Sequence, residues 1–213
     1  EAIGITIDEM GNIYVTGNSR RVIQTKENPG YVIIKYDSSG QQLWANIVPQ
    51  ATVSIISINR EGDVYLAGTR YRSDEARSDY VLMKYDKQGK QLWNVVYIDP
   101  NNKGNILAKG VVDRDGNIIV TGTSYERIET SDAIVFRYRA LDDIVTVKYD
   151  GNGNQLWVAR YNGPDNGLDV AGGLAVDKDG NVYVSGVTAG PVVVNAPLSG
   201  VTPGPTIANI PVY

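Results

Sequence analysis

The chain contains no cysteine and no histidine. The first absence rules out disulfides and thiolate-bound metal, while leaving the redox compartment open. The second removes the commonest general base together with the commonest metal ligand. Any hydrolytic chemistry would fall to carboxylates alone, as in glycosidases, and no spacing in the sequence marks such a pair. Uninterrupted apolar runs of membrane-spanning length are missing too, as is a signal peptide, so no transmembrane segment is expected. The first residue is Glu1 rather than Met, which suggests a mature product or a fragment. Positive charge is scarce: the net charge is -4 and no basic cluster exceeds Arg20-Arg21. A nucleic-acid partner is therefore excluded. With 213 residues and 42% hydrophobic content, what remains can bury one substantial core as a single unit.

Two alternating motifs fill most of that length. Tyr36-Asp37-Ser38-Ser39-Gly40-Gln41-Gln42-Leu43-Trp44 recurs as Tyr85-Asp86-Lys87-Gln88-Gly89-Lys90-Gln91-Leu92-Trp93 and as Tyr149-Asp150-Gly151-Asn152-Gly153-Asn154-Gln155-Leu156-Trp157, which together contain all three tryptophans. Each copy follows a β-branched and aromatic run, turns on a glycine and resumes with Leu-Trp, the pattern of a β-hairpin. The second motif is Gly11-Asn12-Ile13-Tyr14-Val15-Thr16-Gly17, echoed from Gly62, Gly116 and Gly180 at spacings of 51, 54 and 64 residues. A short apolar strand ending in Asp or Asn precedes each copy, and the intervening Gly and Asn suit the positive φ of a tight turn.

Two hairpins per repeat of about 50 residues predict an all-β chain of four-stranded antiparallel blades, a β-propeller. The third strand of each repeat agrees: Tyr31–Ile34, Tyr80–Met83 and Ile144–Val147 are apolar at consecutive positions, as a strand buried on both faces requires. A sandwich would leave one face in water and alternate more cleanly, and a β-solenoid fits the repeat length less well. Residues 1-50, 51-105 and 106-169 give three full repeats, and 170-186 gives the first hairpin of a partial fourth. The Pro-rich tail, 187-213, has no charged residue. It is expected either to complete that blade or to donate a strand to a neighbour, with Val193 and Ile207 as contact candidates. Repeat three carries an insertion between Gly122 and Lys148, where Phe136 and Tyr138 are further candidates for partner contact.

Candidate chemistry is sparse. Asp113 with Asp115, and Asp177 with Asp179, echo the start of a calcium loop, but the remaining acidic ligands are missing; capped hairpin turns are the simpler expectation. Trp44, Trp93 and Trp157 recur at one structural position, which predicts a plug in each inter-blade slot, mostly buried, rather than a sugar-stacking surface. Tyrosines outside the motifs, Tyr71 and Tyr125 among them, suit a glycan better. No catalytic or cofactor-binding residue emerges.

The strings Asp79-Tyr80-Val81-Leu82-Met83-Lys84-Tyr85-Asp86, Gly89, Leu92-Trp93, Gly11 to Ser19 and Tyr161-Asn162-Gly163-Pro164 closely resemble the bacterial and archaeal β-propeller repeat, the SBBP or seven-bladed propeller repeat. That resemblance covers nearly all of residues 1-186. It implies a secreted or cell-surface protein without enzymatic activity or cofactor, serving as a scaffold or an adhesive, protein-binding module that self-associates or holds other surface proteins. A lectin-like propeller that binds glycans is the alternative. The pattern Asp-x-x-Gly-x-x-Leu-Trp also resembles the docking motif of quinoprotein oxidoreductase propellers, but the vicinal cysteines and complete cation site expected of those enzymes are absent.

Overall fold

A computed structural model describes residues 2–19, 30–48, 51–72, 77–101, 103–125, 142–163, 167–189 and 205–208. Strands β1 (Ala2–Ile7), β2 (Ile13–Ser19), β3 (Gly30–Tyr36) and β4 (Gln42–Val48) pair antiparallel in chain order as the first blade. The second blade follows the same plan with β5 (Thr52–Ile58), β6 (Val64–Arg72), β7 (Arg77–Tyr85) and β8 (Gln91–Tyr97). The third consists of β9 (Gly104–Val112), β10 (Ile118–Tyr125), β11 (Asp143–Tyr149) and β12 (Gln155–Tyr161). In the fourth, β13 (Leu168–Val176) pairs with β14 (Val182–Ala189), and the tail contributes β15 (Pro205–Ala208) as a third antiparallel strand. Ile207 lies opposite Ser185 there. Phe136, Tyr138 and Val193 lie outside the described residues.

The motif glycines shape these sheets in two ways. Those in the hairpin turns, Gly40 and Gly89 among them, hold φ near +88° and +87°, a region that side-chain-bearing residues rarely occupy. Gly68, Gly122 and Gly186 instead sit against the bulged first strand of their own blade. A Cβ at Gly68 would lie 2.0 Å from the Thr52 carbonyl oxygen, and one at Gly122 would lie 2.1 Å from that of Ile106.

The first strands lie side by side, β1 against β5, β5 against β9 and β9 against β13, so the blades stack face to face. Each junction has its own apolar cluster. Tyr14 and Ile33 meet Val64, Leu66 and Met83 at the first; Tyr65 and Leu82 meet Ile118, Val120 and Val147 at the second; Ile119 and Ile144 meet Val182 and Val184 at the third. Strands β7 and β11 are buried on both faces, as consecutive apolar residues require, because a blade covers each side. Strand β3 departs from that expectation. Tyr31, Ile33 and Lys35 are buried toward blade 2, while Val32 and Ile34 are only half-buried, since no described element covers the outer side of blade 1.

Candidate functional site

Every described hairpin turn that begins with Asp uses its carboxylate locally. Asp113 Oδ1 accepts the backbone N–H groups of Asp115 and Asn117 at 3.0 and 2.9 Å. Its Oδ2 accepts the Asn117 amide at 2.9 Å and pairs with Lys148 Nζ at 2.9 Å. Burial pushes the Asp113 carboxyl up, but the hydrogen bonds from Asn117 and Lys148 outweigh it and hold the group below the usual carboxylate range. Asp177 repeats the arrangement: it accepts from the Asp179 and Asn181 backbones, the Asn181 side chain and the Tyr183 hydroxyl. The Asn181 side chain is foremost among the causes that draw its carboxyl down to about 2. Asp115 is exposed, and Asp179 is exposed beside Lys178 at 3.3 Å. The structure brings all four aspartates to one cleft of about 270 Å³ between the first turns of blades 3 and 4, where Arg114 and Lys178 join them. Among the described residues, no group of three or more acidic side chains is arranged to hold a metal ion.

The tryptophans occupy equivalent places on the outermost strands β4, β8 and β12, but they are half-buried rather than mostly buried. An outermost strand lies at the open margin of the junction, so one side of each indole remains in solvent. What the ring does there is specific. Trp44 Nε1 donates to the Lys87 carbonyl at 3.1 Å, and Trp93 Nε1 donates to the Gly151 carbonyl at 3.0 Å. Both carbonyls belong to the Asp-x-x-Gly turn of the following blade. Lys35 and Lys84 reach those same carbonyls at 3.4 and 3.2 Å. Each lysine also lies over the tyrosine of its own blade, 4.8 Å from the Tyr14 centroid and 5.0 Å from that of Tyr65. Those tyrosines meet Trp44 and Trp93 edge-on at 6.0 Å. Acid, lysine, tyrosine and tryptophan thus form one tie between successive blades.

The tie changes along the chain. Lys84 stands 2.9 Å from Asp63 and Lys35 4.0 Å from Asp8. Burial depresses the Lys84 ammonium, but its bonds to Tyr65 and Asp63 more than restore it; burial prevails at Lys35, whose pKa is lowered. In blade 3, Ile119 takes the place of the tyrosine, and among the described residues Trp157 has no turn carbonyl to bond; its ring packs against the Val182 and Val184 cluster.

The opposite ends of the blades hold a buried ionic network that the sequence reading missed. Arg160 bonds both Asp99 and Asp143, the latter at 2.7 Å; Lys103 reaches Asp143 at 3.3 Å and Ser124 reaches Asp99 at 3.3 Å. Asp99 and Asp143 are buried. The signal lay in Arg160, a charge at the position that Ile47 and Val96 fill in the other blades. This network joins blades 2 and 3, and its carboxylates face an arginine rather than an open cavity.

Comparison with known proteins gives three findings. The model of the SBBP family, described as a beta-propeller repeat, matches residues 1–20 and 156–191. The first segment covers the opening hairpin of blade 1, and the second runs from β12 through the hairpin of blade 4. An uncharacterized WD repeat-containing protein of Acanthamoeba polyphaga mimivirus is 32% identical over 94 residues, 39% of this chain; the chain covers 6% of that protein. An endo-arabinase from Bacteroides thetaiotaomicron superposes over 98% of this chain and 74% of its own, at 15% identity and a TM-score of 0.45. The matched segments are similar to beta-propeller repeats of the SBBP family, and the paired hairpins stacked blade on blade agree with that architecture.

Proposed function

We propose that the chain is a non-catalytic binding module, an extracellular or cell-surface scaffold that engages protein through the end of its blade stack and uses no cofactor. The observation that carries this reading is the open side of blade 1. Ile5 and Ile7 are 68% and 62% exposed on a four-stranded sheet whose other side is packed. The matching residues of blade 2, Ile56 and Ile58, are partly buried against the core at the first junction, beside Leu66 and Val64. A contiguous apolar sheet face left in water marks an interaction surface. The turn aspartates support the non-catalytic part, because their oxygens are engaged by their own turns. The extracellular part rests on the resemblance of the repeats.

A photo-crosslinking phenylalanine derivative in place of Ile7, activated in the producing cells, tests the reading. A protein adduct at this position supports it. No adduct, together with specific binding on a glycan array, would replace it with the lectin alternative, for which the exposed ring of Tyr71 is the feature to mutate.

A further inference from the structure

We infer that a monovalent alkali cation sits between blades 3 and 4, held by Asp169 Oδ1 together with the hydroxyl of Thr188. It is a structural ion, independent of the binding-module reading above.

Asp169 is the second residue of β13 and lies opposite Thr188 of β14. Two residues further on, Ala171 lies opposite Gly186 and belongs to the cluster packed on blade 3, so strand alternation turns Asp169 and Thr188 to that same side. The Asp169 N–H donates to the Asp142 carbonyl at 2.8 Å, which fixes the start of β13 against blade 3. The side chain is fully buried, at 0% exposure. Its Oδ2 accepts the Gly163 N–H at 2.6 Å, whereas Oδ1 has no hydrogen-bond partner. A buried carboxylate is among the costliest groups a fold can hold unless a positive charge compensates it.

Three other buried aspartates at this end of the blades show what compensation takes. Asp79 faces Arg70 and Arg72, Asp99 faces Arg160, and Asp143 faces Arg160 and Lys103. Among the described residues, no lysine or arginine pairs with Asp169. Nor does the architecture call for an acid there: by register its counterpart in blade 3 is the neutral Asn105, opposite Ser124.

The local geometry supplies a second oxygen. A Cβ at Gly163 would lie 2.4 Å from Thr188 Oγ1 and 2.9 Å from Asp169 Oδ1, so the hydroxyl and the unpartnered carboxylate oxygen converge beside the glycine. Oxygen ligands suit a hard cation, and the donor set fixes its charge. Calcium calls for several carboxylates, and among the described residues no group of three or more acidic side chains is arranged to hold a metal ion. One carboxylate is neutralised by one positive charge. Complete burial of Asp169 excludes the ammonium or guanidinium head of a partner, while half-buried Thr188 lets water reach the remaining coordination positions.

Calorimetric melting of the full chain in about 150 mM sodium, potassium or choline chloride tests this, because the three salts screen alike and only the first two supply the ion. An ion at about ten times its dissociation constant raises the melting temperature of a chain this size by about 3–6 °C. That rise is expected in sodium or potassium over choline, and chelators of divalent cations leave it in place. Asp169→Asn is expected to abolish it and, in choline, to melt above the wild type, since it removes a buried charge; a merely structural role would lower the melting temperature instead. Thr188→Val, which keeps the side-chain shape, is expected to shrink the rise, and it serves as the test if Asp169→Asn fails to fold. Equal melting of the wild type in all three salts would overturn the inference. A rise that persists in both variants would place the ion elsewhere and overturn the assignment. An infrared band of a protonated carboxyl at neutral pH, lost in Asp169→Asn, would overturn it by showing a proton in place of the ion.

Discussion

Replacing Trp93 measures what one inter-blade tie contributes. Complete burial would put a Trp→Ala truncation at about 3–5 kcal/mol, but the half-exposed ring reduces that part to about 2 kcal/mol. The bond from Nε1 to the Gly151 carbonyl adds about 1 kcal/mol, and the edge-on contact with Tyr65 about 0.5–1 kcal/mol. Trp93→Ala is therefore expected to cost about 3–4 kcal/mol, and Trp93→Phe, which keeps a ring but loses the donor, about 1 kcal/mol. Trp157→Ala lacks both extra contributions and is expected to cost about 2 kcal/mol. Urea unfolding followed by circular dichroism reads these differences, provided the slope with denaturant is unchanged; a changed slope would mean that the blades no longer unfold together. If Trp157→Ala were as costly as Trp93→Ala while Trp93→Phe were neutral, the indoles would act as simple plugs, and the tie would be refuted.

Four further outcomes are expected. Gly40→Ala and Gly89→Ala share the strain of a positive φ, about 1–2 kcal/mol, but only Gly89→Ala drives a Cβ to 2.8 Å from the Trp44 ring, so its melting temperature should be the lower; equal losses would refute the close approach. Asp8, Asp113 and Asp177 have depressed pKa values, so their stabilisation is complete above the unfolded value of about 3.9 and is lost as pH falls through the folded values. For Asp177 that window runs down to about 2, and Asp177→Asn should flatten the acid limb of melting temperature against pH. Arg160→Leu leaves Asp99 buried without its cation and Asp143 with Lys103 alone, at a cost of about 3–5 kcal/mol, and adding Asp99→Asn should recover part of it in the same urea assay. The melting temperature should be the same in chelator and in calcium; a drop reversed by calcium would put a cation at the Asp113/Asp115 or Asp177/Asp179 turn.

The blades were legible because their causes are local. A glycine at positive φ, an Asp that caps its own turn and a β-branched run on either side specify a hairpin without reference to the rest of the chain. The consecutive apolar residues of Tyr80–Met83 also revealed two-sided burial, since alternation fails only when both faces are covered. Tertiary relations were less visible. The sequence reading assigned the tryptophans a slot but could not show that the indole N–H seeks a carbonyl one repeat away, since that pairing spans 43 residues for Trp44 and 58 for Trp93. Asp99 and Asp143 read as ordinary loop and strand-end charges; only their convergence on Arg160 takes them out of water. The difference between β3 and its counterparts was equally hidden, because the residues are alike and what differs is the neighbour.

That last contrast bears on how the array holds together. Blade 2 is gripped at both junctions: Trp44 and Lys35 seize its second turn, while its own Trp93 and Lys84 seize that of blade 3. At the opposite ends of the strands, Asp99 joins it to Arg160 of blade 3. In a linear array of repeats, stability is the sum of what each unit contributes and what its nearest neighbours add. The second junction therefore combines the full tie with the ionic network, whereas the third has Ile119 for the tyrosine and no bonded turn carbonyl among the described residues. Polar contacts at the third junction take another form: the Asp169 N–H donates to the Asp142 carbonyl at 2.8 Å and its carboxylate accepts the Gly163 N–H at 2.6 Å, beside the packing of Val182 and Val184 against blade 3.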